Sequence, residues 1–240
     1  MNILVTGGTS GLGEAIVTAL LRSGHSVHFT YCGNAKKAEE LCKEGSTIFA
    51  YHCDFRDKSS VEDFCLTLGE MELDALVNNA FTGHFLERQC HRNDPSIYQE
   101  MFQNNVIPTL QITHQAIVGF KKRHFGRIVT ILTSGLLGNP PVGSSAYVAA
   151  KAYLGQMSRC WATEYIRSGI TANTISPSFM RTNFTAEMDE RVADAIASSH
   201  PLGRLLDCHD AARTVEFLLT SPADVNGVDI PVTAGLVMHS

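Results

Sequence analysis

The sequence has few of the features that would place it in a membrane, on a nucleic acid or in an oxidising compartment. No run approaches the ~18 uninterrupted apolar residues of a membrane span, and the net charge of −5 lacks the basic excess of a nucleic-acid-binding protein. The N-terminus has no basic leader followed by a long apolar stretch. The seven cysteines form no C-x-x-C pair, as is usual in a reducing compartment. We therefore expect a cytoplasmic protein without a metal site, a membrane partner or a nucleic-acid partner.

The chain also lacks internal repeats, low-complexity tracts and linkers rich in proline and glycine, which predicts one domain over residues 1–240. Short β-branched runs alternate with helical patterns, as is typical of a parallel sheet covered on both faces. We expect an α/β protein with a single Rossmann-like, doubly wound and mainly parallel seven-stranded sheet. The predicted strands are residues 3–5, 27–30, 48–53, 75–77, 127–132, 171–175 and 229–232. The predicted helices are residues 11–21, 35–43, 60–68, 96–120, 147–167 and 211–219.

A glycine-rich loop, TGGTSGLG at residues 6–13, lies between the first predicted strand and the first predicted helix. Glycines let the backbone turn tightly against a pyrophosphate, and a helix N-terminus offers unpaired N–H groups and a partial positive charge. The spacing is G-x-x-x-G-x-G rather than the G-x-G-x-x-G of the dehydrogenase fingerprint. An ordinary tight turn is the alternative, but the position between strand and helix favours a dinucleotide site.

The end of the second predicted strand favours NADP over NAD. An acidic residue there would bind the ribose 2′-hydroxyl, whereas a basic residue would accept a 2′-phosphate. Residues 30–34 contain no carboxylate, and Lys36 and Lys37 follow closely. Ser10 occupies the loop position where an arginine would have helped to bind NADP, so NAD remains an alternative.

Tyr147 and Lys151 lie four residues apart on one predicted helix, and therefore on one face of it. Ser134 lies thirteen residues before Tyr147, at the end of a predicted strand. A positive charge ~4 Å from a tyrosine hydroxyl stabilises its anion by about 4 kcal/mol, or roughly three pKa units. Lys151, together with an oxidised nicotinamide, is thus expected to lower the pKa of Tyr147 towards neutrality, less the opposing effect of desolvation. The pattern predicts hydride transfer in which Tyr147 exchanges a proton and Ser134 hydrogen-bonds to the substrate oxygen; an exposed helical pair is the alternative.

These motifs together resemble the short-chain dehydrogenase/reductase family over essentially the whole chain. The matching segments are residues 6–13, CDF at 53–55, NNA at 78–80, YVAAK at 147–151 and ISPSFMRT at 175–182. The resemblance implies an NAD(P)-dependent oxidoreductase with a catalytic tetrad of Asn105, Ser134, Tyr147 and Lys151. It also implies cofactor contacts from Gly7, Thr9, Ser10, Gly11, Leu12, Gly13, Tyr31, Cys32, Asp54, Phe55, Asn79, Ala80, Tyr147, Lys151, Pro177, Met180 and Thr182.

In that family the asparagine at the Asn105 position anchors a proton-relay water. Pro108 supports this role physically, because it has no N–H and leaves the carbonyl of Asn104 without its usual helical partner. The helix should therefore kink beside Asn105, which suits a carbonyl that holds water. A polar helix residue without a role is the alternative for Asn105.

Two positions depart from the family pattern. Phe81 stands where the family has the glycine of NNAG, and Ser178 stands where it has the glycine of a Pro-Gly pair. Phe81 adds bulk near the cofactor and is expected to reshape the wall of the pocket. Ser178 lacks the freedom of glycine to adopt positive φ. Neither change removes a catalytic group, but both bear on the choice of substrate.

Within the family the chain is most similar to 3-oxoacyl-[acyl-carrier-protein] reductases, in segments that include KKRHFGRIVTI and RSGITANTISP. This similarity implies NADPH-dependent reduction of a 3-oxoacyl thioester, carried on a carrier protein or coenzyme A, in fatty-acid or polyketide-type biosynthesis. It further implies docking of an acidic carrier protein through Arg123 and Arg167, the latter one residue from the family position at Ser168, and assembly as a homodimer or homotetramer. The alternatives are an NAD(P)-dependent dehydrogenase of a small secondary alcohol, sugar or steroid, and a nucleotide sensor without turnover.

Overall fold

A computed structural model describes residues 1–9, 11–182 and 190–237 of the chain. Seven strands form one sheet in which neighbouring strands are parallel and follow the order β3-β2-β1-β4-β5-β6-β7. The predicted doubly wound fold is therefore confirmed, with a sheet that is wholly rather than mainly parallel. The strands are β1 (Asn2–Val5), β2 (Ser26–Tyr31), β3 (Ile48–His52), β4 (Ala75–Asn78), β5 (Gly126–Ile131), β6 (Ile170–Pro177) and β7 (Asp229–Val232).

Helices connect the strands and cover both faces of the sheet. They are α1 (Gly11–Arg22), α2 (Ala35–Cys42), α3 (Lys58–Gly69), α4 (Ser96–Met101), α5 (Ile107–Arg123), α6 (Ser145–Tyr165), α7 (Glu190–Ser199) and α8 (Cys208–Thr220). Among the described residues, none of these helices has the length and apolarity that a membrane crossing requires. Helix α7 is absent from the sequence-based prediction. The division of the chain into one domain over 1–240 stays a prediction.

The helix predicted over residues 96–120 is interrupted where Pro108 led us to expect a kink. A π-helical segment, Phe102–Val106, separates α4 from α5, and Pro108 lies in the first turn of α5. The missing N–H of proline and the wider π-turn together let the chain change direction without leaving a second unpaired amide.

Strand β1 shows why helices cover both faces of the sheet. Ile3 and Val5 point to one face and pack with residues of α1, α2 and α8, whereas Leu4 points to the other and packs with residues of α3, α5 and α6. All three side chains are fully buried. Each contributes about 1.5–3 kcal/mol through burial, so a strand that is apolar on both sides can be stable only between two helical layers.

The turn from β1 into α1 is packed against the end of β4 with no space for extra side chains. Gly7 has a φ of +71°, and a Cβ on it would lie 3.0 Å from the Cα of Ala80. A Cβ on Gly13 would overlap the carbonyl oxygen of Gly7 and lie 2.7 Å from Nδ2 of Asn79. Close approach requires glycine at both positions, and the positive φ of Gly7 requires it there as well.

We expect Gly13→Ala to destabilise the protein, because the added methyl group must displace the backbone of Gly7. The cost should be about 1–3 kcal/mol, as for other overpacked interiors, measured as the free energy of unfolding in urea. Gly45→Ala is the matched control, since a Cβ there meets nothing within 4 Å. Equal stability of the two variants would contradict this account of the turn.

Candidate active site

A cleft of about 800 Å³ runs along the edge of the sheet at which the strands end. Because all strands are parallel, the loops that follow them meet at this edge, where α/β proteins bind ligands. The volume lies in the upper part of the range for small-molecule sites. The predicted site residues that line the cleft are Gly7, Thr9, Leu12, Tyr31, Cys32, Asp54, Phe55, Asn79, Ala80, Ser134, Tyr147, Lys151, Pro177, Met180 and Thr182.

The remaining predicted residues have other positions. Gly11 lies beside the side chain of Thr182, and Gly13 lies behind the carbonyl of Gly7, so both shape the loop rather than line the cleft. Asn105 is also not in the lining. Ser10 lies outside the described residues.

Hydrogen bonds join the glycine loop to the end of β4. The hydroxyl oxygen of Thr6 accepts the backbone N–H groups of Asn79 and Ala80, both at 3.0 Å. The side-chain amide of Asn79 donates to the carbonyl oxygens of Thr6 at 2.9 Å and Gly7 at 3.1 Å. Thr30 contributes from β2 by accepting the N–H of Gly7 at 3.0 Å. These bonds hold the glycine loop against the ends of β4 and β2.

Lys151 is almost completely buried beneath the cleft, with 4% of its surface exposed. Its Nζ donates a hydrogen bond to the carbonyl oxygen of Ile131 at 2.7 Å and lies 5.9 Å from the centre of the Tyr147 ring. Burial disfavours the charged form and lowers the pKa of Lys151 to about 7. The amine is therefore close to half-protonated at neutral pH.

Tyr147 lies one helical turn from Lys151, as predicted, but its pKa moves in the opposite direction to our expectation. Burial raises the pKa of Tyr147 to about 12, and a hydrogen bond with the side chain of Thr133 opposes this rise. The sequence argument expected the charges of Lys151 and an oxidised nicotinamide to outweigh desolvation. Since burial also weakens that charge, the side chains of this chain keep the Tyr147 hydroxyl protonated at neutral pH.

Thr133 is a site residue that the sequence argument missed. Its hydroxyl oxygen accepts the N–H of Gly135 at 3.2 Å, and its side chain hydrogen-bonds to Tyr147. Ser134 follows it directly and also lines the cleft. Two adjacent hydroxyl residues at the end of a buried strand were the available signal.

Phenylalanine rings pack against the ring of Tyr147 in the cleft. The Phe81 ring lies 4.4 Å from Nζ of Lys151 and 5.1 Å from the Tyr147 ring, which it meets edge-on. Phe85 meets the Tyr147 ring edge-on at 5.1 Å and lies 6.2 Å from the Phe179 ring. The bulky residue at the family's glycine position therefore packs on both members of the predicted catalytic pair and contributes to their desolvation.

Asn105 supports the loop after β4. It is 1% exposed, its Oδ1 accepts the N–H of Thr82 at 2.6 Å, and its Nδ2 donates to the carbonyls of Thr82 and Met101. Its own main-chain carbonyl accepts the hydroxyl of Thr109 at 2.7 Å. One lone pair of that carbonyl is thus used within the helix, and the water relay at Asn105 stays a prediction.

Ser178, the second departure from the family pattern, is accommodated without backbone strain. Among the described non-glycine residues, positive φ is confined to His124 and Ala234. Ser178 is buried, its N–H donates to the carbonyl of Val232 at 3.0 Å, and its hydroxyl lies 3.5 Å from Nε2 of His200. The expected loss of conformational freedom therefore has no consequence here, and Ser178 adds a polar group near α7.

An ion pair at the far end of the cleft was also missed by the sequence argument. Arg56 donates to Asp54 through Nε at 3.0 Å and Nη2 at 2.9 Å, and Nη2 lies 3.6 Å from Sγ of Cys32. The arginine holds the pKa of the Asp54 carboxyl well below its usual range. Lys37, on which the NADP prediction depended, instead forms an ion pair with Glu14 at 2.7 Å.

Arg123 and Arg167 lie at the opposite edge of the sheet from the cleft. Arg123 is the last residue of α5, and Arg167 follows the end of α6, the helix that begins beside Tyr147. The offset of twenty positions from Tyr147 to Arg167 corresponds to about 30 Å of helix. Docking of a carrier protein through Arg123 and Arg167 stays a prediction.

A model of the short-chain dehydrogenase/reductase family, described as enoyl-(acyl carrier protein) reductase, matches residues 7–237. The chain belongs to the short-chain dehydrogenase/reductase family. Membership confirms the resemblance inferred from the sequence, since the match covers the glycine loop, Ser134, Tyr147 and Lys151 in one alignment.

Individual members of the short-chain dehydrogenase/reductase family are similar over nearly the full length. The 3-oxoacyl-[acyl-carrier-protein] reductase MabA of Mycobacterium avium is 30% identical, with 99% of this chain and 90% of the relative covered. The acetoacetyl-CoA reductase of Rhizobium meliloti (strain 1021) is 33% identical, with 97% and 96% covered. The structure of an actinorhodin polyketide ketoreductase with NADPH matches with a TM-score of 0.87 at 26% identity, with 98% and 96% covered.

Replacing Lys151 with methionine should stabilise the folded protein at neutral pH. The same change should abolish the catalytic role predicted for Tyr147 and Lys151. The lysine titrates near 7 when folded and near its ordinary value of 10.5 when unfolded, so unfolding takes up a proton between these pH values. The wild-type free energy of unfolding should therefore rise as pH increases through this window. At about pH 7 the variant should be more stable by roughly 1–3 kcal/mol, and this advantage should shrink towards pH 10.

Urea unfolding of both proteins at about pH 7 and about pH 9.5 measures this difference. Lys36→Met is the control, because Lys36 is exposed on α2. An advantage of Lys151→Met that does not change with pH would show that packing, and not the buried amine, is its cause.

Proposed function

We propose that the protein is an NADPH-dependent ketoreductase that reduces a 3-oxoacyl thioester, linked to a carrier protein or to coenzyme A, to the 3-hydroxyacyl form. The observation that supports this most strongly is the meeting of Ser134, Tyr147 and Lys151 in one cleft. These three residues lie between two parts of the cleft. One part is polar and is formed by the glycine loop and the ends of β2 and β3, and the other part is apolar. We place the reaction in fatty-acid or polyketide-type biosynthesis.

The polar part of the cleft fits a nicotinamide dinucleotide. Gly7, with its positive φ, brings the backbone to the start of α1, where a pyrophosphate is stabilised by free N–H groups and the helix dipole. Asp54, Phe55 and Ala80 line the region proposed for the adenosine. When bound, the nicotinamide supplies hydride to the carbonyl carbon. The similarity to the actinorhodin polyketide ketoreductase with NADPH and the absence of a carboxylate in residues 30–34 both support NADP(H).

Tyr147 is the proposed proton donor to the substrate oxygen. Because burial raises its pKa to about 12, the hydroxyl holds its proton at neutral pH and is available as a donor. Ser134 would donate a hydrogen bond to the same oxygen and stabilise the charge that develops there. As hydride arrives at carbon, the Tyr147 proton moves to oxygen, and Thr133 and Lys151 stabilise the tyrosinate that remains.

The apolar part of the cleft suits an acyl chain. Phe85 and Phe179 extend from Tyr147, and helix α7 covers the same region with Val192 and Ile196. Burial of apolar surface would bind the chain without strong discrimination of its length, since one methylene contributes only about 1–3 kcal/mol. The names of the Mycobacterium avium and Rhizobium meliloti relatives, which are reductases of 3-oxoacyl and acetoacetyl thioesters, support this substrate class.

The proposal includes homodimers or homotetramers in the cytoplasm. Arg123 and Arg167 can contribute to carrier-protein docking only if a second copy brings them to the entrance of its neighbour's cleft. Carrier docking is thus coupled to assembly in this proposal, and a monomeric protein that still distinguishes the carrier from coenzyme A would contradict that coupling.

Purified protein should consume NADPH when it is given an acetoacetyl thioester, and the product should be the 3-hydroxybutyryl thioester. The decrease of NADPH absorbance follows the reaction, with NADH and a panel of simple ketones, sugars and steroids measured in parallel. Turnover of the panel without turnover of any thioester would replace this function with that of a small-molecule dehydrogenase.

Tyr147→Phe should lower kcat by about 10²–10⁴, the usual contribution of a positioned proton donor, while cofactor binding is largely retained. Tyr153→Phe is the matched control, because Tyr153 lies on the same helix and is 41% exposed. Near-normal activity of Tyr147→Phe would refute the proposed mechanism.

A further inference from the structure

We propose that Arg56 recognises the 2′-phosphate of the cofactor and produces the preference for NADPH over NADH, an inference that rests on the proposed nucleotide site. Arg56 follows β3, whereas this specificity is expected from residues at the end of β2. Its guanidinium nevertheless reaches that end, since Nη2 lies 3.6 Å from Sγ of Cys32. Arg56, Cys32 and Gly33 line the same cleft.

The arginine is held in place and still has donors to spare. Its Nε and Nη2 form a two-point contact with the Asp54 carboxylate, which also accepts the backbone N–H of Arg56 at 2.9 Å. Nη1 has no protein partner among the described residues, and the Arg56 side chain is 59% exposed. A guanidinium has five N–H donors in a fixed plane and matches the geometry of phosphate oxygens.

The negative charge of Asp54 makes Arg56 necessary for the binding of a 2′-phosphate at this position. The ionised Asp54 carboxylate would by itself repel a 2′-phosphate bound nearby. Arg56 neutralises this charge through the two-point contact while presenting its remaining N–H groups. Loss of Arg56 therefore has two effects, since it removes a cation and exposes an anion.

The lysines of α2 are weaker candidates for this role. Nζ of Lys37 lies 2.7 Å from Glu14, and neither Lys36 nor Lys37 lines the cleft. The described residues that line the cleft include one lysine, Lys151, beneath the end proposed for the nicotinamide, and one arginine, Arg56. The N-terminus of α2 adds a partial positive charge, because the N–H groups of the first helical turn have no acceptor within the helix.

Dissociation constants of NADPH, NADH and 2′,5′-ADP test the proposal without any turnover. Nucleotide fluorescence reports the first two, and displacement of NADPH reports the third. In R56Q, NADPH and 2′,5′-ADP should bind about tenfold to a hundredfold more weakly, while NADH changes by less than about twofold. K37Q, the control, should leave all three within about twofold.

Two results would overturn the proposal. One is NADPH binding by R56Q at the wild-type affinity, and the other is an equal loss of NADPH and NADH, which would assign Arg56 to adenine positioning. In wild type the preference for NADPH should decrease with salt and in R56Q it should not. If NADPH binds but no thioester is reduced, the proposed reaction fails while the role of Arg56 stands; binding of neither nucleotide refutes both.

Discussion

The parallel pairing of β1 with β4 at the centre of the sheet is the constraint on which the site depends. It brings the turn after β1 beside the end of β4, where Thr6 and Asn79 join the two through hydrogen bonds. The close approach of Gly7 to Ala80 leaves no space for a side chain between them. On one side of this junction lies the Asp54–Arg56 pair, and on the other lies the proposed catalytic centre. The packing of the turn after β1 against the end of β4 thus determines where a cofactor and a substrate would lie relative to each other.

Desolvation decides the chemistry of the catalytic centre more than the charge of Lys151 does. Burial moves the pKa of Lys151 down to about 7 and that of Tyr147 up to about 12. Phe81, in the family's glycine position, covers both groups and takes part in this effect. The phenol is therefore protonated at neutral pH, and the high basicity of a developing alkoxide would draw the proton from it.

The fold could be predicted because short-range patterns of apolar residues along the chain indicate its strands and helices. Apolar strands such as residues 3–5 alternate with helices, and the loop at 6–13 falls between the first pair. Ser134, Tyr147 and Lys151 could be predicted from the sequence because they lie close together along the chain. The role of Arg56 could not be predicted in this way, since it depends on a contact between Arg56 after β3 and Cys32 after β2. Helix α7 was missed although its sequence is amphipathic. Long-range contacts and desolvation are the terms that a linear pattern does not carry.

The central claim is that this site reduces a carbonyl group and not the carbon–carbon double bond suggested by the description of the matching family model. The most direct measurement gives the protein NADPH with acetoacetyl-CoA in one reaction and crotonyl-CoA in another, and identifies the products by mass spectrometry. We predict 3-hydroxybutyryl-CoA from the first and unchanged crotonyl-CoA from the second. Butyryl-CoA from crotonyl-CoA, with acetoacetyl-CoA left intact, would contradict the account.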